Sequence, residues 1–317
     1  MADTAVSIVI PVYNSEKTIG PLVRDLAATL GPLYRLEIVL VNDGSRDGSD
    51  RACIEAYRAH PDIVRYYSLA KNVGEHNAVM AGLNHAHGRF VVIMDDDFQN
   101  PVSEVVKLVD YAAANDVDVV YTYYDRKRHA WWRNLGSRFN DKVANIMLGK
   151  PGDLYLSSFK LLDAFLVKEI IKYDLPFPYI DGLILRTTDR IGRVKVEHHE
   201  RQEGRSGYTL HKLVHLWMNM FTNFSILPLR AAMGFGFLFS AIGLVVGVQT
   251  VIEKMTNPDL PVGWAMVVVL LAVFSGVQLV AIGMIGEYLG RMFLSQNKKP
   301  QYTVRAAYED RLGDEQD

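Results

Sequence analysis

Residues 231–252 and 260–286 contain no charged side chain, and this pair of runs limits the fold more than any other feature of the chain. Each run is long enough to cross a bilayer core as a helix, which takes ~20 residues. Neither offers a polar face to water, as a helix on a soluble core would. A membrane hairpin is therefore expected, with spans at about 231–252 and 263–286. The segment from Glu253 to Pro261 carries one lysine, whereas Arg230 precedes the first span and Arg291, Lys298 and Lys299 follow the second. By the positive-inside rule both flanks lie in the cytoplasm. Met1 to Ala5 lead straight into a strand pattern without the basic and apolar regions of a signal peptide, so the hairpin itself is expected to target the protein.

The rest of the chain reads differently. Ser7 to Val12 and Leu36 to Val41 are short apolar runs, each followed by a turn and a helix-length segment. Further strands are expected at 63–69, 90–95, 118–124, 154–160 and 193–198, with helices near 16–30, 48–59, 75–87, 102–115, 163–172 and 180–191. This alternation implies an α/β domain with a mostly parallel, Rossmann-like sheet over about residues 1–208. The single cysteine, Cys53, excludes an intrachain disulfide and a cysteine-based zinc site. A net charge of −2 argues against a general nucleic-acid binder.

In open α/β sheets ligands bind beyond the carboxyl ends of the strands, where the polar residues of this chain gather. The first strand ends in Pro11-Val12-Tyr13-Asn14, the second in Asn42-Asp43-Gly44-Ser45, and the fourth in Asp95-Asp96-Asp97. Three adjacent carboxylates raise one another's pKa and call for a cation or donors. Asp95 and Asp97 present two hard oxygen donors, and Gln99 adds a third, a set suited to Mg2+ or Mn2+ bound with substrate phosphates. Asp43 suits a nucleobase N–H or a ribose hydroxyl, and Lys71 a phosphate near a helix N-terminus. No G-x-G-x-x-G turn or P-loop occurs at these strand ends, which disfavours a dinucleotide or ATP site.

Two segments have the pattern of helices lying in the headgroup layer. One, at about 130–148, carries Trp132, Leu135, Phe139, Val143 and Ile146 in basic surroundings; the other, at 209–229, runs from Leu210 through Trp217 and Phe224 into the first span. The remainder, 291–317, reads as a cytoplasmic tail. Within the spans, Gly243 and Gly247 form a small-residue face, and Gln249 and Gln278 are candidates for hydrogen bonds across the hairpin or to another subunit.

The segments Ile10-Pro11-Val12-Tyr13-Asn14, Val41-Asn42-Asp43-Gly44-Ser45, Asn72-Val73-Gly74 and Met94-Asp95-Asp96-Asp97-Phe98-Gln99-Asn100-Pro101 together resemble family 2 glycosyltransferases, which have the A-type nucleotide-sugar fold. Arg201 to Tyr208, Phe224 to Arg230 and Gly286 to Arg291 further resemble the bacterial polyprenyl-phosphate glycosyltransferases, a group that includes bactoprenol glucosyltransferases and is related to dolichol-phosphate mannose synthases. The resemblance implies inverting transfer of a sugar from a nucleotide-sugar, a UDP-sugar on family grounds, to undecaprenyl phosphate. It also implies a multi-pass protein of the bacterial inner membrane with a cytoplasmic catalytic domain, working as a homotetramer.

Carried over residue by residue, the resemblance puts the nucleotide-sugar at Pro11, Tyr13, Asn14, Glu16, Asp43, Lys71, Asp95 and Asp96. It puts the metal on Asp97 and Asp95 with Gln99, and the acceptor phosphate at Arg126, Arg128, Arg201, Arg205 and Ser206. Asp95, Asp97 and Asp181 are the catalytic candidates, Asp181 as a base or sugar-hydroxyl contact, with a plain helix N-cap as its alternative. Many relatives carry an aspartate just before a Phe-Arg-Leu-Leu segment, where this chain reads Ser157-Ser158-Phe159-Lys160-Leu161-Leu162. Two other functions compete: a catalytically silent membrane-anchored nucleotide-sugar sensor or scaffold, and a processive polysaccharide synthase. The second lacks its Q-x-x-R-W motif and additional spans here.

Overall fold

The computed structural model describes residues 4–124, 154–176, 178–197, 227–257, 263–296 and 300–309. The chain divides into one unit of Met1–Gly207 with Lys298–Asp317, and a second of Tyr208–Asn297. In the first, β1 (Ala5–Val12), α1 (Ile19–Leu30), β2 (Arg35–Asn42), α2 (Ser49–Ala59), β3 (Val64–Leu69), α3 (Glu75–Asn84) and β4 (Phe90–Ile93) alternate along the chain. There follow α4 (Ser103–Ala114), β5 (Val119–Tyr123), β6 (Lys160–Asp163), α5 (Ala164–Ile170), α6 (Ile180–Thr187) and β7 (Ile191–Lys195), and last β8 (Val304–Tyr308).

The eight strands form one sheet in the order β7-β5-β6-β4-β1-β2-β3-β8. β1 pairs parallel with both β2 and β4, and β2 with β3. Val6, Ser7, Ile8, Val9 and Ile10 are fully buried, because a central parallel strand is covered on both faces. On one face Val6, Ile8, Ile10, Val92 and Met94 join Leu22, Leu26, Cys53 and Leu108 in the main core. On the other, α3 lies so close that a Cβ on Gly82 would stand 2.3 Å from the Val9 side chain. α1 follows the spacing that buries one stripe, with Ile19, Leu22, Val23, Leu26 and Leu30 inward. Cys53 is fully buried, and burial pushes its thiol far up, which leaves it a packing residue.

Two features depart from the sequence reading. The strand expected at 154–160 is β6, at 160–163, and it runs antiparallel to both neighbours. Its beginning therefore lies beside the end of β4, with Lys160 opposite Ile93. The second departure is β8, which makes the tail an edge strand of the sheet instead of an independent segment. β8 pairs antiparallel with β3, and the Tyr308 ring stacks on Tyr66 with centroids 5.6 Å apart. The Tyr67 hydroxyl donates to Glu309, and the Gln301 amide donates to the carbonyls of Tyr173 and Leu175 at 2.7 and 2.8 Å.

The second unit contains α7 (Leu227–Thr256) and α8 (Trp264–Gln296), both long and apolar enough to cross a membrane. Phe237, Leu244 and Leu279 are 70–72% exposed, whereas the apolar residues of a soluble core helix are covered. α7 starts at Leu227, with Pro228 in its first turn, where a missing N–H costs nothing. Gln249 bonds Glu253 within its own helix at 2.9 Å. Gly243 and Gly247 face open space. The expected interfacial helix at 130–148 and residues 209–226 of the second lie outside the described residues.

Candidate active site

The carboxyl ends of β1, β2 and β4 bring three polar loops together. Asn14, at φ 55°, turns the chain out of β1. Its carboxamide oxygen accepts from the Arg46 N–H at 2.9 Å, and its own N–H donates to Ser45 Oγ at 3.0 Å. Glu16 accepts from the Gly48 N–H at 2.8 Å. Both side chains thus brace the β2–α2 loop. Tyr13 stays exposed, and the half-buried Pro11 pairs with Val41.

Asp43 is buried at the end of β2, and its two carboxylate oxygens accept from the N–H groups of Val73 and Gly74 at 2.7 and 2.9 Å. Burial raises its pKa and the two amides oppose that rise. The arrangement needs glycine at 44, where φ is +62° and a Cβ would lie 2.5 Å from the Asn72 nitrogen. Asp43 therefore fixes the loop after β3, with Lys71 exposed on it. Each of its oxygens keeps a lone pair for a ligand.

The three aspartates after β4 separate. Asp96 keeps its Oδ2 buried without a hydrogen-bond partner among the described residues, and burial raises its pKa to about 6. Asp95 turns the other way and accepts from Ser158 Oγ at 2.6 Å. Asp97 accepts from the Gln99 N–H at 3.1 Å, in a turn where Phe98 has φ 58°. Among the described residues no three His, Cys, Asp or Glu side chains converge as a ready-made metal cage. Asp95 and Asp97, two residues apart in this turn, offer hard oxygen donors of the kind a divalent cation takes together with diphosphate oxygens and water.

Asp181 lies in the first turn of α6, whose N-cap is Tyr179, so the plain-cap alternative does not hold. It is 7% exposed and forms an ion pair with the buried ammonium of Lys160, while the Tyr121 hydroxyl donates to it at 2.8 Å. Burial, then the charge of Asp181, holds the Tyr121 phenol far above its ordinary range. Ser158 and Lys160 reach this side of the sheet because β6 is antiparallel. Their two-residue spacing places them on one face, so the sequence carried the signal but not the strand's direction. Lys160, Tyr121, the Ser158 bond to Asp95 and Glu75 at the head of α3 are the parts that sequence reasoning missed. Arg126, Arg128, Arg201, Arg205 and Ser206 lie outside the described residues.

The Glycosyl transferase family 2 pattern matches residues 7–171. The chain is 33% identical over 309 residues to the undecaprenyl-phosphate 4-deoxy-4-formamido-L-arabinose transferase of Edwardsiella ictaluri (strain 93-146), covering 95% of this chain and 93% of that one. It is 30% identical to the enzyme of the same name from Enterobacter sp. (strain 638), covering 95% and 92%. Among solved structures, glucosyl-3-phosphoglycerate synthase from Mycobacterium tuberculosis in complex with UDP superposes with a TM-score of 0.50 at 19% identity, over 68% of this chain and 79% of that one. That likeness shows the shared fold. With the family pattern over more than half of the sequence and relatives matched over 95% of it, the chain belongs to glycosyl transferase family 2 and is a glycosyltransferase.

Proposed function

We propose that the protein transfers a sugar from a UDP-sugar to undecaprenyl phosphate at the cytoplasmic face of the bacterial inner membrane, with inversion at the anomeric carbon. The observation that carries the reading is the extent of the match: relatives named for that acceptor align over 95% of the chain, α7 and α8 included. Connectivity supports the topology. The chain leaves the sheet after β7, passes two apolar helices, and returns to the same sheet as β8, which requires an even number of crossings.

The chemistry follows from the acceptor. A phosphate monoester with a second pKa near ~6 is largely ionised at neutral pH, so the nucleophile needs positioning and no base. This fits a site whose Asp181 is neutralised by Lys160 and where serine stands next to Asp95. Asp97 and Asp95, with Gln99, would hold Mg2+ or Mn2+, which supplies charge stabilisation to the leaving nucleoside diphosphate. Asp43 would receive the nucleoside and Lys71 a phosphate. Arg126, Arg128, Arg201 and Arg205 with Ser206 would grip the acceptor phosphate through forked, charge-assisted bonds.

The test is direct. Full-length protein in detergent is incubated with undecaprenyl phosphate, Mg2+ or Mn2+ and a panel of nucleotide-sugars, and the lipid fraction is read by mass spectrometry. A polyprenyl-phosphate sugar is the expected product. Donor binding without product from any donor would favour the silent sensor.

A further inference from the structure

The carboxylates of the crevice differ in one respect. Asp43 has two backbone amides, Asp95 the Ser158 hydroxyl, and Asp181 both Lys160 and Tyr121, while Asp96 has one oxygen, Oδ2, buried without a partner among the described residues. Glu75 has no hydrogen-bond or ion-pair partner among the described residues, and its side chain reaches solvent. It follows directly on Gly74, whose N–H holds Asp43, so its backbone is fixed by the nucleoside end of the crevice. The next residue, His76, sets its ring edge-on to Tyr179, the N-cap of α6, with centroids 5.2 Å apart. Glu75 thus stands between the loop that Asp43 holds and the start of α6, at the edge of the sheet where the strand-end aspartates lie. A sugar on the distal phosphate extends into that space.

From this placement we infer that Glu75 is a specificity-determining residue that takes a hydrogen bond from a hydroxyl or amine of the donor sugar. The inference rests on the donor reading given above. Exposed and without a partner among the described residues, its carboxylate oxygens keep lone pairs for a hydroxyl or an amine. The Lys160 ammonium is paired with Asp181 and makes no ion pair with Glu75. An acid at the head of a helix also gains from the helix dipole, an effect that acts on stability and is blind to the sugar.

The experiment compares full-length wild type, Glu75→Gln and Glu75→Ala by calorimetric titration in Mn2+ with UDP, UDP-glucose, UDP-galactose, UDP-N-acetylglucosamine and UDP-4-amino-4-deoxy-L-arabinose. Glu75→Ala is expected to weaken the preferred UDP-sugar about tenfold, the loss of one hydrogen bond to a charged group, while UDP binding stays within about twofold. Glu75→Gln, which keeps the shape, is expected to change the order of preference among the four sugars. An unchanged ratio of sugar-nucleotide to UDP affinity in both variants overturns the inference, as does equal weakening of every ligand or a shift in Tm alone. Donor binding without glycolipid product refutes the transfer reading and leaves the Glu75 ratio readable. Absence of all binding by the wild type overturns both.

Discussion

Replacing Lys160 with methionine removes the ammonium from Asp181 and leaves a carboxylate, 10% exposed at its side chain, with Tyr121 as its remaining donor. Breaking a buried pair from one side costs about 3–5 kcal/mol, because the surviving charge cannot reach water. Asp181→Leu strands the ammonium, 5% exposed, over the Tyr121 ring and is expected to cost a comparable amount. For a domain of this size each kcal/mol moves Tm by roughly 2–4 °C, so each single change should lower it by roughly 6–20 °C. The double variant loses both charges together and is expected to recover most of that fall, as apolar replacements of buried pairs do. The assay is thermal unfolding of detergent-solubilised full-length protein at one scan rate, with turnover measured on the same samples. A strongly non-additive cycle with turnover kept in the double variant is the predicted outcome. Additive losses would show that the two groups do not act as a pair. A folded but inactive double variant would return Asp181 to the chemistry.

Three further predictions follow from the site and the tail. Asp97→Ala is expected to lower kcat by at least about a hundredfold with Tm within a few degrees, as measured by glycolipid formation and unfolding; normal turnover would remove the metal role. Ending the chain before residue 300 deletes β8, exposes the β3 edge and removes the Gln301 bonds to Tyr173 and Leu175, so Tm should fall and the β3 amides should lose protection in hydrogen exchange; unchanged exchange would refute the docking. Glu75 is an acid with a raised folded pKa, so the stability it contributes is fully present below about 4.5 and lost as pH rises through about 7. Wild-type Tm should therefore decline more steeply across that window than that of Glu75→Gln, and parallel profiles would contradict the assignment.

What could be read from the sequence depended on whether local residues decide the structure. β1, β2 and β4 are runs of Val and Ile ending in polar turns, and that pattern alone located them and their ligand edge. α7 and α8 were legible because a helix without charges over such a length has few alternatives. β6 was not, because Ser157 to Leu162 has no directional signal and a lysine at the end of an apolar run reads as surface. Lys160 is buried only because Asp181 lies 21 residues on, across the sheet. β8 was missed for a similar reason: Val-Arg-Ala-Ala-Tyr is short and interrupted by a charge, and its stability comes from β3 and the ring of Tyr66, far earlier in the chain. Asp181 looked like a cap since it stands near the start of a helix, and only the fold shows its partners.

The serine at 158, where the family resemblance leads one to expect a carboxylate, is understood through Asp95. Its hydroxyl lies 2.6 Å from an Asp95 oxygen, so a carboxylate placed there would set two negative charges against each other and raise the pKa of at least one. A family member whose acceptor must lose a proton gains a base from that arrangement. An acceptor that arrives as an ionised phosphate gains nothing from it, and the Ser158 hydroxyl donates to Asp95 without bringing a second charge. The buried carboxylate of this chain sits instead on α6, at Asp181, where Lys160 cancels it. Glu75 is left as an exposed carboxyl at this edge of the sheet with no hydrogen-bond or ion-pair partner among the described residues, so the ratio of UDP-sugar to UDP affinity in its variants tests whether it reads the sugar.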